Sequence, residues 1–449
     1  MYRFFFIQFT RTTTCQIGLS LVLIIGLISL INGRQFLSHQ QQAAEEVASK
    51  QKEHIERHIK LHEDDLPLLL YYLRFSMIDS SSPLAGLSIG QKDLTPSVMR
   101  VKMLTLEGQK YETDLINPVK LLHGNLDLSF VIIYIFPLLV IAFVYNLLSE
   151  EKESGTWRMI SITASSKGGF LFAKLVVRLS LLLGIMLLLF VLSLPILDLS
   201  WSLAFLLFIS GGFFYLLLWF ALAFWVISWG QNSNFNALTL FTTWLAMVIV
   251  IPAMVNNHIN TKYPLPEAMA TMLEQRDGYH KKWDTNKKQS MEKFYADYPQ
   301  FKHFGYPDEE GFDWAWYYAI QHLGDVESRE ESKAMQQKIR TRQAKSAQWS
   351  MVIPSLYTQL IFNTLAETGM TNYMNFLNAT SIFHEEIRLY FYPMVLSKTG
   401  AVNQLDWSRF KPSIYQEEKR DYQWFSMFKP LIIGTVLFAF LAVFFLRKL

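Results

Sequence analysis

A single cysteine, Cys15, stands among 449 residues, so the chain can close no internal disulfide and build no cysteine-based metal cluster. Surplus charge is missing too: 41 Lys and Arg against 38 Asp and Glu leave +3, too little for bulk attraction to nucleic acid. No Gly-x-x-x-x-Gly-Lys-Ser/Thr run occurs, so the chain holds no nucleotide in a P-loop, and no Gly-x-Ser-x-Gly elbow presents a serine nucleophile. Ionisable residues are almost absent from the interior of its long apolar stretches. Proton- and sodium-coupled carriers need acids or broken helices near the membrane midplane, so this absence speaks against a secondary transporter. Any energy for transport then comes from a partner.

What is present is apolar and aromatic. Hydrophobic residues make up 51% and aromatic residues 15%, with 35 Phe and 12 Trp. The mean hydropathy of +0.18 is high for a soluble protein and low for one lying wholly in a membrane. The expected class is an all-α integral membrane protein: six transmembrane helices with two mainly helical extracytoplasmic regions. The apolar runs fall at 17–31, 130–148, 175–197, 203–228, 235–255 and 430–446. The first is short against the about 20 residues a span needs, and tilting or extension through Phe4-Phe5-Phe6 lengthens it. Asn32-Gly33-Arg34 offers no small-x-small cleavage site, so the run is expected to stay as a signal-anchor. The chain thus divides into 1–33 (N-terminus and first span), 34–128 (first polar region), 129–255 (spans two to five, enclosing a charged segment at 149–174), 256–428 (second polar region) and 429–449 (last span and tail).

Basic residues beside the spans set the orientation. If six spans alternate, Arg3, Arg11, Lys152, Arg158, Lys167, Lys174, Arg178, Arg447 and Lys448 share one side. That side is expected to be the cytoplasm of a bacterial inner (plasma) membrane, with both termini inside. In the first polar region, Gln40 to Asp65 holds no Gly or Pro and predicts a solvated helix continuing out of the first span. His54, His58 and His62 recur at a spacing of four and share a face of that helix. Imidazoles so spaced can take zinc or copper, but a solvated or packed face is the simpler reading and no metal is expected. Residues 83–125 suggest irregular structure with a few short strands. In the second region Met269, Met272 and Leu273 have helical spacing, and further helices are expected around 314–318 and 326–345. His384-Glu385-Glu386 lacks the second His four residues on that a zinc protease needs, since position 388 is Arg.

The charged segment between spans two and three carries the strongest motif. Glu150-Glu151-Lys152-Glu153-Ser154-Gly155-Thr156-Trp157-Arg158 places acids before a run of alternating bulky and basic residues. This predicts a short amphipathic helix with the acids at its positive end, pressed against a partner; an ordinary charged loop accounts for the same residues. Glu151-Lys152-Glu153-Ser154-Gly155-Thr156 resembles the Glu-(Arg/Lys)-Glu-x-Gly-Thr signature of ABC exporter permeases of the type-2 class, and Lys174 matches a Lys that follows it there. Trp157 stands where a Leu is usual. Val352-Ile353-Pro354-Ser355 and Leu365-Ala366-Glu367-Thr368-Gly369, followed by Phe383-His384, resemble a subfamily with an outer Ser-Pro…Leu-Ala-Gly-Thr…Phe-His domain of unknown function. Here the Ser-Pro order is inverted and Glu367 replaces the Gly.

The resemblance implies a permease subunit in which Glu151, Lys152, Glu153, Ser154, Gly155, Thr156 and Lys174 couple it to separate ABC ATPase subunits. ATP and Mg would belong to those subunits, with no cofactor in this chain. It also implies a second permease copy or a paralogue, because six spans are too few for a full pathway in that family. Membrane lipid is the remaining expected partner. The alternative from another class is a mechanotransmitting or scaffold component of an envelope complex, suggested by polar regions that exceed half the chain.

Overall fold

The computed structural model describes residues 2–107, 109–111, 125–163, 166–264, 285–417 and 422–447. The expected helix around Met269, Met272 and Leu273, and Lys448 at the tail, lie outside the described residues. Within them, six helices are long and apolar enough to cross a membrane, and the protein is an all-α membrane protein with only three short strands described.

A short helix, α1 (Tyr2–Thr10), leads into α2 (Thr13–Leu61), one helix of 49 residues capped by the Thr12 side chain. At 1.5 Å per residue α2 is about 74 Å long, more than twice a bilayer core, so its Ala-, Glu- and Gln-rich second half must project beyond the membrane. There follow α3 (Leu66–Tyr72), β1 (Phe75–Asp79) and β2 (Val98–Val101). The second span is α4 (Leu128–Glu153). After the exposed α5 (Trp157–Thr163) come the spans α6 (Lys167–Ile196), α7 (Leu203–Ile227) and α8 (Ser233–Lys262). The second polar region supplies α9 (Lys287–Asp297), α10 (Trp314–Glu327), α11 (Arg329–Ser350), α12 (Pro354–Leu365), α13 (Met370–Ser397) and β3 (Ser413–Tyr415), before the last span α14 (Trp424–Leu446).

Four spans carry a proline, and two of them, α4 and α8, absorb it the same way. A π-helical stretch, Val131–Ile135 in α4 and Ala246–Val250 in α8, precedes Pro137 and Pro252. A proline has no N–H for the carbonyl a turn behind it, and in an apolar core that carbonyl needs another donor. Tyr215 supplies one, donating its hydroxyl to Ile133 O at 3.0 Å. Ser355 supplies the other, to Met247 O at 2.5 Å.

The two polar regions form one body rather than two. β1 pairs antiparallel with β2 and parallel with β3, giving the order β2-β1-β3 with Ile78 opposite Ile414. Leu66, Leu69, Leu70 and Phe75 from the first region share a core with Phe294, Tyr318, Phe391 and Tyr392 from the second. This large domain is joined to the spans by α12. Its Ile361, Phe362 and Leu365 belong to the core of the span bundle, with the Phe362 ring stacked on Phe208 at 4.0 Å. Tyr357, on the same helix, donates to Met427 O at 2.9 Å, and Ser355 reaches α8.

Candidate functional site

The charged segment lies where the spans end, on the face opposite the large domain. The span α4 runs on through Ser149–Glu153, so Glu150, Glu151 and Glu153 stand at its C-terminal end. The break comes at Gly155, whose φ of +77° is a left-handed conformation that a β-carbon disfavours. No atom would meet a side chain there within 4 Å, so the turn itself, not a neighbour, calls for glycine. The expected amphipathic helix therefore begins only at Trp157 and has no acid in its first turn.

Carboxylates at a helix C-terminus oppose its dipole, and here each finds a cation or a donor. Glu151 pairs with Lys174 of α6 and accepts the Thr156 hydroxyl. The Lys174 ammonium, itself buried, also lies over the rings of Phe170 (5.2 Å) and Phe5 of α1 (5.9 Å). Lys152 donates to Gly230 O at 3.0 Å, in the turn between α7 and α8. Glu153 accepts from Ser233 twice, from the backbone N–H at 2.8 Å and from the hydroxyl at 3.0 Å. It thereby sits on the N-terminus of α8, where a negative charge is favoured. Ser149 adds a hydroxyl contact to Ser233 at 2.8 Å, and Ser154 one to Thr156 at 2.9 Å.

Three consecutive residues thus reach three different elements, and the end of α4 is clamped to α6, to the α7–α8 turn and to α8. Charge-assisted hydrogen bonds contribute about 1.5–3 kcal/mol where desolvated and about 1 kcal/mol or less where exposed, as at Glu153. Glu151 and Lys152 turn toward the protein's own spans, while Glu150 and Glu153 stay exposed. Beyond them, α5 faces outward as well. Trp157 packs back against the span core, whereas Met159 is 69% and Ile162 85% exposed, and none of the helix is buried. The structure brings together Glu151, Thr156 and Lys174 in one cluster and Lys152 and Glu153 in the adjoining one. Gly230, in a short uncharged loop, and Ser233, the first residue of α8, belong to the clamp; the one sequence signal was Asn232, which caps α8 by accepting from Phe235 N.

The other polar clusters lie in the large domain. His58 and His62 stack on each other and on Tyr72, His54 meets His58 edge-on, and His54 Nε2 meets Tyr72 O at 3.2 Å. Among the described residues no group of three or more His, Cys, Asp or Glu is placed to hold a metal ion. Deeper in the domain, buried Arg388 pairs with Asp325 at 2.8 Å, and His384 Nε2 donates to Leu104 O at 2.9 Å. Tyr298 donates to Glu385 at 2.7 Å, and His322 Nε2 bonds Asp297 at 2.9 Å. Burial, then the Arg388 charge, holds the imidazoles of His322 and His384 below their ordinary range, His384 far below. This network joins α9, α10 and α13 around the 103–107 stretch, as a structural tie does.

Residues 268–416, a third of the chain, match a protein family described as a domain of unknown function (DUF3526). No curated protein and no solved structure matches the chain.

Proposed function

We propose that this chain is the membrane-spanning permease subunit of an ATP-driven ABC exporter of the type-2 class, with α5 as the docking element for a separate ATPase. In this reading α5 and both termini lie in the cytoplasm of a bacterial inner membrane, and a second copy or a paralogue completes the pathway. The observation that carries it is an apolar helix, exposed at Met159 and Ile162, whose root is clamped to three neighbouring span ends. A push on α5 then moves the ends of α4, α6 and α8 together. The near-absence of ionisable groups from the span interiors agrees with energy delivered from outside the bundle.

The test is co-purification with the ATPase and stimulation of its hydrolysis. Met159→Glu and Ile162→Glu leave folding intact, because both side chains are exposed. Each is expected to weaken ATPase binding about tenfold or more, since burying an unpaired carboxylate costs more than about 1.4 kcal/mol. Lys174→Met cuts the tie between α4 and α6, so the ATPase still binds while stimulation falls. Binding and stimulation by both glutamate variants at the wild-type level would overturn the reading.

One observation favours a second output of the same machine. Because α12 is packed among the spans, their movement is handed to the large domain, and force transmission to an envelope partner needs no solute to cross.

A further inference from the structure

Where α2 leaves the spans it stands away from the large domain, held by two footings. At the membrane end Gly33 lies against the backbone of Gly86, so closely that a β-carbon there would come within 2.0 Å of Gly86 O, and Arg34 pairs with Asp198. At the far end the Gln51 side chain accepts from Ser76 N at 2.7 Å and donates to Phe410 O at 2.9 Å. Between the footings lies a cavity of about 1010 Å³. Leu37, Ala44 and Ala48 line it from α2, and Ile78, Phe410 and Ile414 from the domain.

Three features of this cavity define an occupant. Its walls are largely apolar, and water against them is unfavourable by about 25 cal/mol per Å². Its size is at the upper end for pockets that enclose a whole ligand, about 300–1,000 Å³. Its floor, at Arg34, Leu197 and Asp198, lies where the first and third spans end, so it meets the membrane boundary. An apolar chain can enter there directly from the bilayer. Charged residues line both ends: Arg34 and Asp198 the floor, and Lys52, Glu56 and Lys411 the end near the Gln51 footing, with Glu45 and Asp79 also in the wall; Lys52 pairs with Glu56 at 3.9 Å, and Lys411 makes no ion pair among the described residues.

We propose that this cavity binds a membrane phospholipid drawn up from the leaflet on the large-domain side. Its acyl chains lie along Leu37, Ile78 and Leu197, and its headgroup phosphate lies toward Lys52 and Lys411. Binding here does not rest on the ATP-coupling reading, and the test contains no ATPase.

The full chain is placed in nanodiscs containing a phosphatidylethanolamine that carries a photoactivatable diazirine on one acyl chain. After irradiation, the adducts are mapped by peptide mass spectrometry. Adducts are expected within 34–59 and 407–414 as well as on the spans. Ala44→Trp and Ala48→Trp fill the cavity from a solvated helix and should leave the melting profile unchanged. Each is expected to cut the cavity adducts about tenfold, since displacing two methylenes already costs about that factor in affinity, while span adducts persist. Lys52→Glu with Lys411→Glu is expected to reduce the cavity adducts as well. Adducts confined to the spans, cavity adducts that survive both tryptophans, or cross-links showing a second copy of the chain in the cavity would each overturn the proposal.

Discussion

His384 shows how one buried side chain links the large domain to pH. Its Nε2 donates to Leu104 O, Asp325 lies 4.0 Å from its Nδ1, and Arg388 bonds the same Leu104 carbonyl. Burial, and after it the Arg388 charge, holds the imidazole well below its ordinary value of 6.5. The unfolded chain therefore binds the proton first as pH falls. Stability from His384 is complete above about pH 6.5 and is lost as pH drops toward the folded value. His322, lowered by the same two causes, acts in the same sense. Asp79, pushed up by burial, acts in the opposite sense. His384→Gln keeps an N–H for Leu104 O and removes only this titration, so the other groups cancel in the comparison. Wild type is expected to lose more thermal stability than His384→Gln between about pH 7.5 and about pH 5.5, by up to about 1.4 kcal/mol per pH unit for one proton. Parallel melting curves for the two proteins would contradict the assignment.

At the scale of elements, the spans were legible because twenty-residue apolar runs have few other uses, and so was the projecting helix, a stretch free of Gly and Pro. The clamp was legible in part. Glu151, Lys152, Glu153 and Lys174 stood out, but which end of which helix held the acids turned on the left-handed Gly155, whose conformation leaves no periodic trace. The joining of the two polar regions was hidden. It depends on three- to five-residue strands paired across more than three hundred positions, too short to show alternation. The π turns were hidden as well, although their cause, Pro137 and Pro252, was in plain view. They carry a prediction of their own. Tyr215→Phe removes the side-chain donor to Ile133 O, a carbonyl in an apolar core to which Pro137 offers no N–H, a loss of about 1–3 kcal/mol. The apparent melting temperature in detergent should fall, and Pro137→Ala in the same chain should recover part of it by restoring an N–H a turn ahead. An unchanged melting temperature for Tyr215→Phe would show that another group serves the carbonyl.

At the scale of the whole molecule, the decisive element is the one whose composition gave no warning. Ser355, Thr358, Gln359 and Asn363 make α12 look like surface of the large domain, yet its other face is built into the spans. Phe362 is fully buried against Phe208, with planes only 4° apart, and Tyr357 and Ser355 bond backbone carbonyls of α14 and α8. Domain and bundle share this helix, so neither can open without exposing apolar surface of the other. A single cooperative unfolding transition is therefore expected for wild type. Phe362→Ala removes the ring from the junction, at about 3–5 kcal/mol, and leaves both separate cores intact. Calorimetry of the purified protein in detergent, paired with a protease time course against the large domain, reads the result. The variant should melt in two steps, the large domain first, and should show protease cuts within 285–417 while the spans stay folded. If Phe362→Ala instead lowers one undivided transition, the coupling runs through α2 and α14 as well, and α12 is not the hinge on which movement passes from the spans to the large domain.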